Sequence, residues 1–195
     1  MELRGDFSRM LPRLRQGRLQ QELLVKAARI KGAEAPTAVD CTAGLGEDSL
    51  LLAAAGFAVT LFERDQTIAA LLADALERAA ADPRLAEAVG RMTLVAGNSI
   101  TGLATLPEPP DVVYLDPMFP ARTKSAAVKK KFQLLHHLEQ PCEEEEALVA
   151  AALATQPRKV VIKRPAKGAL LADMKPSYSV AGKAVRYDVL VPPRP

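Results

Sequence analysis

The chain has 195 residues, 49% hydrophobic and 25% charged, with 26 lysines and arginines against 23 acids, a net charge of +3. That describes one globular domain with a sizeable core and excludes a disordered chain, and no apolar run reaches the length of a membrane span. Cys41 and Cys142 are the only cysteines, too few for a disulfide framework or a zinc-ligand spacing, so no metal and a reducing, cytoplasmic location are expected, while the mild basic excess permits a polyanionic partner without demanding one.

Residues 1–18 form a basic, turn-prone arm carrying Arg4, Arg9, Arg13, Arg15 and Arg18, without the apolar stretch of a secretion signal. Two readings stand side by side: a solvated arm, or arginines that touch phosphate. Residues 19–195 read as the functional domain. Leu23, Leu24, Ala27 and Ile30 recur at helical spacing, which predicts a helix over Leu19 to Ile30, ending at Gly32.

The organising stretch is Ala38-Val39-Asp40-Cys41-Thr42-Ala43-Gly44-Leu45-Gly46-Glu47-Asp48. A strand over Thr37 to Cys41 breaks into a turn at Gly44 and Gly46, where the backbone can bend sharply and approach a ligand, and a helix opens over Asp48 to Ala55. The next apolar run, from Ala58 to Phe62, ends in Glu63, which follows Asp40 by 23 positions. An acid at the tip of the second strand, about 20 residues after a glycine loop, is where nucleotide-binding α/β folds hold a ribose diol. A dinucleotide loop needs a third glycine where this chain has Ser49, and Asp40, Glu47 and Asp48 would repel a pyrophosphate. S-adenosylmethionine carries a sulfonium and an ammonium and no phosphate, so it suits these acids. The competing reading is a strand-turn-helix corner whose glycines serve packing alone.

A long helix is predicted from Gln66 to about Ala81, stopped by Asp82-Pro83, then a strand over Met92 to Val95 that runs into Gly97-Asn98-Ser99 at a strand's carboxyl end. Asp111 to Leu115 is a near-continuous apolar strand delivering Asp116-Pro117-Met118-Phe119-Pro120. The prolines remove amide donors and leave carbonyl acceptors beside a carboxylate and a ring. That set suits a planar substrate bearing an amine: Phe119 can stack on a base while Asp116 and the Pro117 carbonyl accept from its N–H groups. Arg122, Lys124, Lys129, Lys130 and Lys131 follow, either a solvated face or phosphate-positioning groups beside the base site. His136 and His137 fit packing or surface better than a metal site.

Glu143 to Glu146 read as the acidic first turn of a helix over Ala147 to Ala154. Arg158 to Lys163 is a fifth strand whose end, Lys163-Arg164-Pro165, lies on the ligand-bearing edge, where the two cations could also meet RNA. A short helix near Ala169 to Met174 and a hairpin over Ser177 to Ala181 and Ala184 to Val191 complete the chain.

Seven strands, helices between the first five and a closing antiparallel hairpin give a Rossmann-like, mostly parallel α/β sheet with helices on both faces, the class I methyltransferase architecture. Within it the sequence resembles the ribosomal RNA small-subunit methyltransferase J family. The resemblance rests on Asp40 to Asp48, Phe62-Glu63-Arg64, Val113 to Pro120, Lys124 to Lys130, Val161 to Pro165 and Arg186-Tyr187-Asp188. Asp116-Pro117-Met118-Phe119-Pro120 discriminates best, because most amino-methyltransferases carry a second proline in place of Met118. The resemblance implies methylation of the exocyclic N2 of a guanine in small-subunit (16S) ribosomal RNA. It also implies cofactor contacts at Glu47, Asp48, Glu63, Arg64, Asn98, Ser99 and Asp116. Family members usually begin with a longer N-terminal region and carry a glycine-rich basic segment where this chain has Met10 to Gln20. The rival readings are methylation of another amine (DNA adenine, other RNA or a protein amide), a nicotinamide-dependent oxidoreductase, and a module that binds cofactor or RNA without chemistry.

Overall fold

The computed structural model describes residues 4–117 and 145–193. Seven strands form one sheet in the order β3-β2-β1-β4-β5-β7-β6. These are β1 (Thr37–Asp40), β2 (Ala58–Glu63), β3 (Met92–Ala96), β4 (Val112–Leu115), β5 (Lys159–Pro165), β6 (Tyr178–Ala181) and β7 (Val185–Leu190). The pairs β1–β2, β1–β4, β2–β3 and β4–β5 are parallel, while β7 runs antiparallel to both β5 and β6. The expected Rossmann-like sheet with its antiparallel hairpin is therefore present. The strand order reverses between β2–β1 and β4–β5, so the crevice at the carboxyl ends of β1 and β4 is the topological switch point where ligands of such sheets bind.

Alternation along the central strands explains why helices cover both faces. Val112 and Tyr114 of β4 and Val161 of β5 belong to one apolar cluster with Leu24, Leu50 and Leu72. Val113 and Leu115 of β4, with Val160 and Ile162 of β5, belong to the other with Leu103, Leu148 and Leu171. Successive residues point to opposite faces, and because both faces are covered the strands read as unbroken apolar runs.

Among the described residues the α-helices are α1 (Leu11–Leu14), α2 (Leu23–Ala28), α3 (Glu47–Ala54), α4 (Gln66–Ala80), α5 (Ala86–Val89), α6 (Ser99–Leu103) and α7 (Glu145–Ala154). On α4, buried Ile68, Leu72, Ala75 and Ala79 recur at helical spacing, and Asp65 caps the helix by accepting from the amides of Thr67 and Ile68. Among the described residues no helix is long and apolar enough to cross a membrane.

Three expectations are corrected. The helix read over Leu19 to Ile30 is two pieces, a 3-10 turn at Leu19–Gln21 and α2, separated by Glu22 in an extended conformation (ψ 130°). The Glu22 carboxylate takes a two-pronged bond from Arg13 at 2.7 and 2.8 Å. The helix stops at Ala28, where Lys159 Nζ donates to the carbonyls of Ala27 (3.0 Å) and Arg29 (2.8 Å). The solvated-arm reading of the N-terminal segment is also replaced. Phe7 and Met10 are buried in the main apolar cluster, and a 3-10 turn over Phe7–Met10 leads into α1. Finally, the segment near Ala169 to Met174 contains only a 3-10 turn at Leu171–Asp173. The short helices α5 and α6 were not foreseen.

Candidate active site

The loop after β1 is tied down from three sides. Asp40, at the strand's end, is 1% exposed; its Oδ1 accepts from the Thr42 amide at 3.0 Å and its Oδ2 from the Ser49 hydroxyl at 2.5 Å. Burial, with the negative charges of Asp48 and Asp116 nearby, raises its pKa to about 7, against the pull of those hydrogen bonds. Asp40 thus sits inside the loop that it was expected to offer to a cofactor. Ser49, where a dinucleotide fold would have glycine, is the side chain that closes it.

Gly44 and Gly46 both have positive φ, 52° and 76°. The Gly44 amide donates to Glu63 Oε2 at 2.9 Å, and Glu63 Oε1 accepts from the Asp65 amide at 2.8 Å. Glu63 thereby ties the loop to the tip of β2. Glu63 is mostly buried and its pKa is raised, chiefly by that burial. A Cβ on Gly46 would lie 2.7 Å from Leu72 and 3.2 Å from Phe7, so the turn presses directly against α4 and the N-terminal segment. Glu47 is exposed at the start of α3, Arg64 is exposed just past β2, and Asn98 is exposed where it caps α6 by accepting from the Ile100 amide. Ser99 is buried.

At the adjacent strand tips the chemistry changes. The Asp116 amide donates to Thr42 Oγ1 at 2.7 Å, fixing the end of β4 to the β1 loop. Lys163, from β5, places its ammonium 2.7 Å from Asp48 Oδ2 and 2.8 Å from Asp116 Oδ2. The Tyr114 hydroxyl donates to the same Asp48 oxygen at 2.7 Å. Burial raises the Asp116 pKa and the lysine opposes that rise; the two carboxylates drive the lysine pKa well up despite its own burial. Pro117 is buried directly after Asp116.

The structure therefore brings Asp40, Gly44, Gly46, Asp48, Glu63, Asp116 and Pro117 together at one edge of the sheet. The two β5 cations expected to meet RNA are both engaged by the protein: Lys163 as above, and buried Arg164 through Nε to the Ala169 carbonyl at 2.8 Å. Arg186 reinforces that turn, donating through Nη1 to the carbonyls of Pro165, Ala166 and Gly168. Phe119, Arg122, Lys124, Lys129, Lys130 and Lys131 lie outside the described residues, as do Met118, Pro120, His136, His137, Cys142 and Glu143. Among the described residues no group of three or more side chains is arranged to hold a metal. Sequence reasoning passed over the Lys163 bridge and the Tyr114 hydroxyl; Tyr114 reads only as a core strand residue, and nothing local marks its oxygen as part of a site.

Residues 2–192 match the SAM_MT family model, described as "Putative SAM-dependent methyltransferase". A protein of Thioalkalivibrio sulfidiphilus named ribosomal RNA small subunit methyltransferase J is 49% identical over 175 residues, 89% of this chain and 69% of that protein. The chain belongs to that family. A protein of the same name from Aeromonas salmonicida is 46% identical over 86% of this chain and 68% of its own length. The crystal structure of a SAM-dependent methyltransferase from Neisseria gonorrhoeae superposes with a TM-score of 0.80 at 34% identity, covering 98% of this chain and 75% of that one.

The family's cofactor is S-adenosylmethionine, and the donor set fits it. Among the described residues, Asp48, Asp116 and Glu63 bring three carboxylates to the edge and Lys163 brings an ammonium. The surplus negative charge suits a ligand carrying a sulfonium and an ammonium and would oppose a pyrophosphate.

Proposed function

We propose that this protein transfers a methyl group from S-adenosylmethionine to the exocyclic N2 amine of a guanine in small-subunit ribosomal RNA. The reading rests first on the 49% identity to a protein named for methylation of small-subunit ribosomal RNA. The guanine amine follows from the family resemblance of the Asp116-Pro117 stretch. Either free RNA or the assembled small subunit would be the partner, and that substrate implies a cytoplasmic location.

The cofactor supplies an electrophilic methyl group bound to a sulfonium. Glu63 would accept from the ribose hydroxyls, with Gly44 and Gly46 letting the loop backbone lie close. Asp48 and Glu47, at the start of α3, would face the cationic end, and Arg64, Asn98 and Ser99 would line the neighbouring strand tips. Asp40 would serve this site by fixing the loop, through Thr42 and Ser49.

A guanine N2 is a weak nucleophile because its lone pair is delocalised into the ring. Asp116 and the Pro117 carbonyl would accept its N–H groups, aim the nitrogen and stabilise the positive charge that develops on it. No strong base is required, since the amine proton becomes acidic once the nitrogen has been alkylated. The arginines exposed on the N-terminal segment, Arg4, Arg9, Arg15 and Arg18, would add phosphate contacts that position RNA without reading its sequence.

Transfer of labelled methyl to small ribosomal subunits lacking base methylation, followed by digestion to nucleosides, tests the reading. Label in N2-methylguanosine is the expected result. Label in another nucleoside, or none despite cofactor binding, overturns the acceptor.

A further inference from the structure

We propose that Lys163 is a positioning residue for the methyl acceptor: its ammonium, clamped between Asp48 and Asp116, holds Asp116 as a carboxylate with one oxygen turned to the incoming amine. The inference rests on the reading that Asp116 meets that amine.

Three residues distant in sequence converge here. Asp48 comes from the first turn of α3, Asp116 from the end of β4 and Lys163 from β5, and the two bonds, at 2.7 and 2.8 Å, span 115 and 47 positions of chain. Lys163 engages Asp116 through Oδ2, which assigns Oδ1 to the acceptor. The Asp116 backbone is held independently by Thr42. Main chain and side chain are thus fixed from two elements, the β1 loop and β5, the arrangement that keeps a reacting group within a fraction of an ångström of its productive pose.

Among the described residues, the charged neighbours of Asp116 are Asp40 and Asp48 on the β1 loop and α3, and Lys163 and Arg164 on β5; the Tyr114 hydroxyl joins through Asp48. Without the lysine, two partly buried carboxylates would face each other, and one would take up a proton. A protonated Asp116 presents a hydroxyl donor where an amine needs an acceptor. Lys163 therefore selects for acceptors that donate N–H and against bare ring nitrogens and carbonyl oxygens. With two carboxylates holding its proton it cannot serve as the base, and its side chain is only 25% exposed, which suits an internal clamp better than a phosphate anchor.

Methyl transfer by Lys163→Met, Lys163→Gln and Lys163→Arg, followed from about pH 5 to pH 9, separates this role from simple packing. In the Met and Gln variants the acid limb of kcat/KM should move up by about one pH unit or more. On the acid side of the limb activity should then fall by up to ~10-fold for each pH unit the limb moves, and it should largely return by pH 9. Arg, which keeps the charge, should hold the limb near its wild-type position. Should Lys163→Met not fold, Lys163→Gln carries the comparison, because its amide can still bridge the carboxylates without a charge. The Asp116 carboxyl, followed by 13C NMR without any acceptor, should titrate higher in both neutral variants. An unmoved limb with an unmoved carboxyl titration in either neutral variant overturns the proposal. A wrong acceptor would show instead in the wild-type nucleoside digest and would leave the NMR result standing.

Discussion

The two halves of the ligand-bearing edge solve the problem of buried acids differently. On the β1–β2 side, Asp40 and Glu63 are held by neutral donors, the amides of Thr42, Gly44 and Asp65 and the hydroxyl of Ser49. On the β4–β5 side, Asp48 and Asp116 share one ammonium. Neutral donors fix geometry without supplying a counter-charge, which suits a loop that must keep its shape around the ribose of a cofactor. A lysine compensates charge and commits one oxygen of each acid, which suits a carboxylate that must stay ionised while it meets a neutral amine. The difference teaches that acids at one sheet edge are assigned their roles by their partners.

The largest effect that can break this comparison comes from Asp116→Ala, which should lower turnover about 10³-fold while S-adenosylmethionine affinity, measured by calorimetry, changes little. Equal loss of both would merge the two sides into one. Glu63→Gln should do the reverse, raising the cofactor Kd about 10- to 100-fold with turnover at saturating cofactor nearly kept. Gly46→Ala attacks the first side through its scaffold. The added Cβ would meet Leu72 and Phe7 at a φ of 76°, so denaturant unfolding should show a loss of about 1–3 kcal/mol.

The subtlest test uses pH. The Asp40 pKa is about 7 in the fold against 3.8 for the ordinary carboxyl, so between those values the folded state holds a proton that the unfolded chain releases. Stability from this group is therefore greatest at the acid end and falls as pH rises through that window. Asp40→Asn keeps the acceptor for the Thr42 amide, reverses the Ser49 bond so that its NH2 donates to the hydroxyl, and removes the titration, so its melting temperature should decline less than that of the wild type from about pH 4 to pH 7. Parallel curves would mean that Asp40 does not carry this linkage.

Much of this arrangement was legible in the chain because it is local. The apolar runs of β1, β2 and β4, the glycines at 44 and 46, and the spacing from Asp40 to Glu63 lie within a few turns of one another, and together they gave both the sheet and a cationic cofactor. What escaped was decided over distance. Nothing near Glu22 says that Arg13 will draw it out of a helix, or near Ala28 that Lys159 will cap that helix from another strand. Helices α5 and α6, at four and five residues, are too short to show periodicity. Lys163 and Arg164 read as cations able to meet RNA because each finds its protein partner only after β5 has taken its place beside β4. The same holds for Phe7, whose burial depends on a glycine 39 positions away.

The placement of β7 between β5 and β6 also governs when the site can exist as the chain is made. The far edge of β5, from Val160 to Pro165, pairs with Val185 to Leu190, which leave the synthesising ribosome some twenty residues after it. Until then Lys163 belongs to a sheet with an open edge, and a bare row of amides and carbonyls invites pairing with another chain. A nascent chain halted before residue 185 would carry both carboxylates and the lysine, yet lack the strand that seals the one presenting it.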